Sequence, residues 1–346
     1  MLKNVARIVA AALVMVGVGV AAPQAAQAAT CATTPMTMTW SSALAGGLAV
    51  DLPIASVAVT AVTVDWGDST AVSNVATGLK TLPAGYTAHT YATAGTYTIT
   101  ICGGLQQYGD PGSPRGASGF TAVTSWPSTL TSLSSAFWKC TSLTDVPNSL
   151  PSSVTSLLGT FGGATSFNDS DVTTWNTANV TNMSLMFNNA TAFNQPIGSW
   201  NTAKVTDMSY MFNAASAFNQ PLSAWSTGAV TTMMTMFKGA PLFNQNVGTW
   251  DVSKVTTMAS MFQDVVAFNN GGSDAIKNWN TASLTTLSST FNNATAFNQP
   301  IGSWNTAGVT TMAYAFYGAV AFDQNLGLWN TGAVTTMNYA FSNAKV

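Results

Sequence analysis

The chain has 346 residues, only 6% of which are charged, and its formal net charge is −2. A typical soluble domain has about a quarter of its residues charged, and the acidic residues of this chain are all aspartate. Because it has no basic patch that could neutralise phosphates, the composition argues against nucleic acid as a partner.

The first 28 residues have the pattern of a secretory signal peptide. Lys3 and Arg7 supply the positive start, and an apolar stretch follows over residues 8–22. Residues 26–28, Ala-Gln-Ala, form a small-residue cleavage site, so we expect the mature chain to begin at Ala29. The apolar stretch is too short for a membrane span. We therefore predict a secreted or cell-surface protein with no membrane span.

Residues 29–108 are predicted to form an all-β domain. They alternate Val, Thr and Ala with turn residues, as in residues 57–68 (VAVTAVTVDWGD), which is typical of short strands. Residues 109–119 are rich in Gly and Pro and are predicted to be a linker. In an exported protein, Cys31 and Cys102 are placed to close a disulfide across this domain, which would leave Cys140 free.

Residues 120–346 are predicted to be a repeat region, because aromatic residues recur there every 25 residues, with one step of 29. Two degenerate units precede the seven clear ones, which gives nine repeats. The aromatic registers are predicted to form the core of the stacked repeats. Their members are Trp175, Trp200, Trp225, Trp250, Trp279, Trp304 and Trp329, and Phe187, Phe212, Phe237, Phe262, Phe291, Phe316 and Phe341.

Each repeat is predicted to combine one extended segment with one short helix. Val205, Met208, Met211 and Phe212 have the spacing of a helical stripe, whereas residues 193–200 have an extended character. Neither half can bury its apolar face alone, so the repeats must stack. The predicted fold is therefore an α/β solenoid that follows an N-terminal all-β domain.

Residues 192–212, AFNQPIGSWNTAKVTDMSYMF, resemble the repeat of BspA-like leucine-rich-repeat surface proteins. The resemblance implies a leucine-rich-repeat-like solenoid on a cell surface, with adhesion or binding of host and matrix molecules, and it brings no catalytic residues. Residues 64–101 resemble PKD-type β-sandwich modules, through the segments 64–68 (VDWGD), 89–91 (HTY) and 95–98 (GTYT). This second resemblance implies an extracellular spacer or a weak binding module.

The function predicted from these patterns is non-enzymatic presentation of a repeat surface to a protein or glycan. The alternative is a carbohydrate-binding array in which the Trp register forms an exposed strip, although a buried Trp core is favoured. No cofactor or metal is expected, since Asp169, Asp171 and Asp274 lie in oxygen-rich loops without an ordered calcium pattern. His89 is expected to pack at a strand start. The complete last repeat leaves end-to-end self-association and a continuation of the chain open as alternatives.

One further register consists of threonines, and we expect them to cap or line the start of each short helix. Its members are Thr181, Thr206, Thr231, Thr256, Thr285, Thr310 and Thr335.

Overall fold

The computed structural model describes residues 31–79, 86–112 and 114–345. Antiparallel β-strands occupy the N-terminal third of this part. Their bounds are β1 Met36–Ser41, β2 Ala49–Leu52, β3 Ile54–Asp65, β4 Ser73–Val75, β5 Gly78–Leu79, β6 Thr87–Thr90, β7 Thr96–Tyr108 and β8 Phe120–Ser125. A four-residue α-helix, α1, spans Ser42–Ala45, and short 3-10 helices span Ala117–Gly119, Ser170–Thr174, Asn270–Gly272 and Asp274–Asn278.

The strands form two antiparallel sheets that together make a β-domain. The larger sheet has the order β4-β3-β7-β1-β8, with β5 also paired to β3, and the smaller sheet pairs β2 with β6. In β1 the side chains alternate between buried and partly exposed, so that Met36, Met38 and Trp40 point into the core. Strand β8 lies in the segment that the sequence analysis assigned to the repeats.

Beyond β8 the backbone turns through successive coils, which we call the coil stack (residues 130–344). Each coil pairs with the next through an isolated parallel β-bridge, as in Asn182 with Asp207 and Asp207 with Thr232. The bridges recur once per repeat from Ser132 to Thr336. Every repeat therefore contributes one coil, and neighbouring coils are joined by backbone hydrogen bonds.

The predicted α/β solenoid with a helix in every coil is wrong. The sheets of this structure are antiparallel, and α1 is the only α-helix in the described part of the chain. In the segment predicted as a helix, the N–H groups of Met208, Tyr210 and Phe212 donate to carbonyls of the next coil, at 3.3, 2.9 and 2.8 Å. A helix would direct these N–H groups back along its own turn, so the hydrogen bonds between coils replace it.

The helix-like spacing has a different origin in the structure. The N–H of Met211 donates to the carbonyl of Met208, and that of Asn213 donates to Tyr210, so two tight turns follow each other. Tyr210 has a φ of 58°, in the left-handed region that a right-handed helix excludes. Buried side chains three residues apart thus arise from consecutive turns, which periodicity alone does not distinguish from one helix.

The β-domain covers the first coil of the stack. The N–H of Thr131 donates to the carbonyl of Gln106 in β7 at 2.8 Å, and Gln107 forms a parallel bridge with Ser132. A second parallel bridge joins Ala122 of β8 to Asp145. Stacked repeats need a cover for the apolar face of their terminal unit, and strands β7 and β8 supply it at this end.

An asparagine ladder runs along one edge of the coil stack. The side-chain oxygen of Asn219 accepts hydrogen bonds from the N–H of Asn244 (3.0 Å) and from the amide of Gln245 (2.9 Å) in the next coil. The ladder continues across the 29-residue repeat, where Asn298 donates to Asn269 at 3.0 Å. Its acceptors are Asn168, Asn194, Asn219, Asn244, Asn269 and Asn298.

Replacing Asn219 with alanine is expected to lower the free energy of unfolding by about 1–3 kcal/mol, because the partly buried N–H of Asn244 loses its acceptor. The amide of Gln245 loses one acceptor and keeps the backbone carbonyl of residue 219. Urea titration followed by circular dichroism measures the loss. The matched variant Asn219→Asp keeps an acceptor oxygen, and aspartate already occupies this register at Asp323, so it should lose less than Asn219→Ala. Equal losses in the two variants would show that the acceptor does not matter.

Candidate functional surface

The three cysteines separate into one disulfide and one buried thiol. Cys31 and Cys102 are bonded, with Cα atoms 5.2 Å apart, and Cys102 lies in β7. Cys140 is free and 3% exposed in the coil stack. Burial raises the pKa of the Cys140 thiol well above its ordinary value, so it stays protonated and unreactive at neutral pH.

The tryptophan register lies inside the coil stack. From Trp175 to Trp304 its members are 2–4% exposed, and Trp329 in the last coil is partly buried. The indole N–H of Trp225 donates to the carbonyl of Ile197 at 3.0 Å, in the preceding coil. Since both the ring faces and the N–H are occupied within the protein, these rings present no strip for a glycan to stack on.

The phenylalanine register forms the centre of the same core. From Phe187 to Phe316 its members are at most 1% exposed, and Phe341 is partly buried. The ring of Phe212 stacks on Phe187 and Phe237, with centroids 5.7 and 5.5 Å apart. The two aromatic registers therefore hold the coils together.

A strip of threonines runs along one face of the coil stack, where the partly exposed Asp207 lies beside Thr206. Each coil contributes one exposed threonine, and five coils add a second, partly exposed one beside it. We call this set the threonine strip. Its members are Thr131, Thr155, Thr181, Thr206, Thr231, Thr256, Thr285, Thr310 and Thr335, together with Thr232, Thr257, Thr286, Thr311 and Thr336.

Backbone and side-chain bonds both fix the threonine strip. The N–H of Thr206 donates to the carbonyl of Thr181 at 2.9 Å, and its hydroxyl reaches the same carbonyl at 3.3 Å. The pattern repeats from coil to coil, as for Thr231 on Thr206 and Thr256 on Thr231. The predicted role in capping helices is wrong because the coils contain no α-helix to cap.

The hydroxyl groups of the threonine strip are engaged with backbone carbonyls. The hydroxyl of the exposed threonine in each coil donates to a backbone carbonyl, from Thr131 to Thr335. A nucleophilic hydroxyl needs an adjacent base to accept its proton, and here a carbonyl takes that place. The hydroxyl oxygens can still accept hydrogen bonds from a partner.

His89 takes part in a structural cluster of the β-domain. Its Nε2 lies 2.7 Å from a carboxylate oxygen of Asp68, and its ring stacks on Trp66 with centroids 4.8 Å apart. Burial opposes ionisation of Asp68, but hydrogen bonds from Thr70 and His89 outweigh it and hold the pKa of Asp68 below its ordinary value. Asp65 accepts the N–H of Gly67 at 2.9 Å, so both aspartates stabilise the turn after β3.

Three aspartates meet beside the second coil. Single carboxylate oxygens of Asp145, Asp169 and Asp171 lie within 4.8 Å of one another. Burial and the two neighbouring carboxylates raise the pKa of Asp145. Asp169 also accepts the N–H groups of Val146 (2.7 Å) and Asp171 (3.1 Å), which gives it a structural role. The sequence analysis did not single out Asp145, whose only signal is that it lies one repeat before Asp169. Asp274 is not in this cluster and pairs with Lys277.

The described residues include no helix that is long and apolar enough to cross a bilayer. A protein family described as "Mycoplasma protein of unknown function, DUF285" matches residues 131–248 and 243–346. The two matches together span the coil stack, which confirms the prediction of a repeat protein. No curated protein and no solved structure matches the chain.

Proposed function

The chain belongs to the DUF285 family, and we propose that it is a non-enzymatic, secreted cell-surface protein whose threonine strip binds a macromolecule. The observation that carries this proposal is the strip itself, a regular array of exposed and partly exposed threonine side chains on the stacked coils. Extended repeat surfaces of this kind are suited to contacts with large partners. A cell-surface adhesion role follows for the whole chain.

The proposed extracellular location is supported by three features of the chain. The signal-peptide pattern occupies residues 1–28, which lie outside the described residues. The resemblance of residues 192–212 to BspA-like surface repeats supports the same location, and the PKD-like β-domain would act as a spacer and as the cover of the first coil. A secreted protein with a disulfide also fits an oxidising compartment.

The chemistry of the threonine strip favours a partner that offers uncharged hydrogen-bonding groups. Hydroxyl and methyl groups contribute hydrogen bonds and apolar contact, without the desolvation cost of a charged side chain. A protein and a neutral glycan both satisfy this requirement. The burial of the tryptophan register gives no support to the alternative of a carbohydrate-binding Trp strip.

A binding screen tests the proposal with the mature chain, residues 29–346, on arrays of glycans and matrix proteins. In the strip variant, lysine replaces Thr206, Thr231 and Thr256 in three neighbouring coils. Three charges in this face should weaken binding by at least about tenfold, because the partner would have to desolvate them.

The matched control places three lysines in the same coils on a different exposed register, at Ser199, Ala224 and Thr249. This control should bind as the unmodified chain does, and circular dichroism should show that both variants remain folded. Unchanged binding by the strip variant would contradict the role of the threonine strip. An absence of binding to every glycan and matrix protein would contradict the proposed function.

A further inference from the structure

A hollow lies where the β-domain meets the first two coils. Its volume is about 540 Å³, and it is bordered by Thr34, by the end of β8 and the residues after it (124–128), and by residues 147–153. This is within the size range of protein sites that hold small ligands, roughly 300–1,000 Å³. It is separate from the threonine strip, whose members do not line it.

Beside this hollow the second coil departs from the repeat. Seven residues after the first aromatic of a clear unit comes tryptophan, as in Phe193 and Trp200, whereas the second coil has Leu143 and Leu150 at this spacing. Leu150 is buried and lines the hollow between Pro147 and Pro151. The indole of Trp126 contacts Phe137 and Trp175 instead, with ring centroids 6.0 and 6.4 Å apart. Trp200 makes the equivalent contacts with Phe187 and Trp175 at 6.1 and 6.4 Å.

Polar side chains without partners surround this space. The side chains of Ser128, Asn148, Ser149 and Ser152 are exposed and make no hydrogen bond within the described structure. Every lining residue is uncharged. A charged ligand would therefore find no counter-charge, and an apolar ligand would leave the amide and hydroxyl groups without partners.

The apolar wall of the hollow contains one unsatisfied donor. Trp126 is 6% exposed and lines the hollow, and its buried indole N–H has no hydrogen-bond partner. By contrast, the indole N–H of Trp175 donates to the carbonyl of Pro147 at 2.8 Å. Buried donors are normally paired, which makes this N–H the unusual feature of the wall.

We infer that this hollow binds one or two sugar units of a neutral glycan. Such a ligand offers many hydroxyl groups to Asn148, Ser149 and Ser152, and its carbon skeleton can pack against Trp126 and Leu150. It needs no counter-charge, in agreement with the uncharged lining. The inference is independent of the threonine strip, so the two proposals can fail separately.

The test follows the indole N–H signals of the mature chain, labelled with ¹⁵N-tryptophan, by two-dimensional NMR. The Trp126 signal is assigned from its loss in Trp126→Phe. The probes are the neutral disaccharides maltose, cellobiose and N,N′-diacetylchitobiose, with negatively charged sialyllactose and an uncharged Ser-Thr hexapeptide for comparison. We expect at least one neutral disaccharide to shift the Trp126 signal saturably and to leave the Trp225 signal in place.

Two variants connect the shift to the hollow. Leu150→Trp enlarges a side chain that lines the hollow, so the saturable shift should disappear. Asn148→Ala removes one polar partner and should weaken binding about tenfold, whereas Ser223→Ala, an exposed serine in another coil, should leave it unchanged. The Asn148→Ala result stands even if Leu150→Trp fails to fold.

Three outcomes would overturn the inference. The first is the absence of a saturable Trp126 shift with all three neutral disaccharides. The second is a shift that persists at full size in a folded Leu150→Trp variant or in Asn148→Ala. The third is a saturable response to the hexapeptide or to sialyllactose alone, which would identify a different class of ligand.

Discussion

Replacing Phe212 with alanine is expected to lower the free energy of unfolding by about 3–5 kcal/mol, the usual cost of truncating a buried phenylalanine. Phe212 has no exposed surface. Its ring contacts Phe187, Phe218 and Phe237, with centroids 5.7, 4.0 and 5.5 Å away. The substitution therefore opens a cavity that borders three coils, and the regular hydrogen bonds between coils limit how far they can collapse into it.

Equilibrium urea unfolding of the mature chain, followed by tryptophan fluorescence and circular dichroism, measures this loss. The matched control Ser223→Ala changes an exposed residue of a neighbouring coil and should alter the free energy by no more than about 0.5 kcal/mol. A loss below about 1 kcal/mol for Phe212→Ala would mean that the core tolerates a gap at its centre, contrary to the packing described above.

Replacing both Cys31 and Cys102 with serine is expected to destabilise the β-domain by about 4 kcal/mol. The disulfide joins residues 71 positions apart, and closing a loop of this length restricts the unfolded chain by about that amount in the chain-entropy account. Because β7 contains Cys102 and also pairs with the first coil, the loss should extend to the start of the coil stack.

Differential scanning calorimetry of the double variant and of the unmodified chain, each with and without a reducing agent, tests this expectation. Reduction should lower the melting temperature of the unmodified chain to that of the variant and should leave the variant unchanged. An unmodified chain that keeps its melting temperature when fully reduced would contradict the role assigned to the disulfide. Cys140 is free and unchanged in all four samples, so differences between them report on the bond between Cys31 and Cys102.

The sequence predicts the repeat and its period, since tryptophan and phenylalanine at a fixed phase need a shared environment. It does not predict the local backbone. Met208, Met211 and Phe212 have a helical spacing, but this spacing does not show whether their N–H groups donate to carbonyls of the same turn or of the next coil. The acceptors are determined by the position of the neighbouring coil and by the left-handed backbone of Tyr210. Neither can be read from the periodicity of the sequence.

The features of the candidate sites depend on contacts between distant residues. Asp145 joins Asp169 and Asp171 only because the coils stack. The hollow brings Trp126 together with Asn148 and Leu150, which lie more than 20 positions further along the chain and meet it only in the fold. The exposed threonines were visible as a register, but their bonding to carbonyls requires the distance between coils.

The pairing of Gln106 and Gln107 with the first coil has a consequence for how the molecule assembles. An isolated coil buries little surface, so the first coil is the most costly one to form. The carbonyl of Gln106 in strand β7 accepts the N–H of Thr131. Each completed coil then presents an equivalent carbonyl to the coil that follows, as Thr131 does to Thr155. Addition of coils to this first one runs in the direction in which a ribosome releases the chain, so each emerging repeat meets a coil that is already in place.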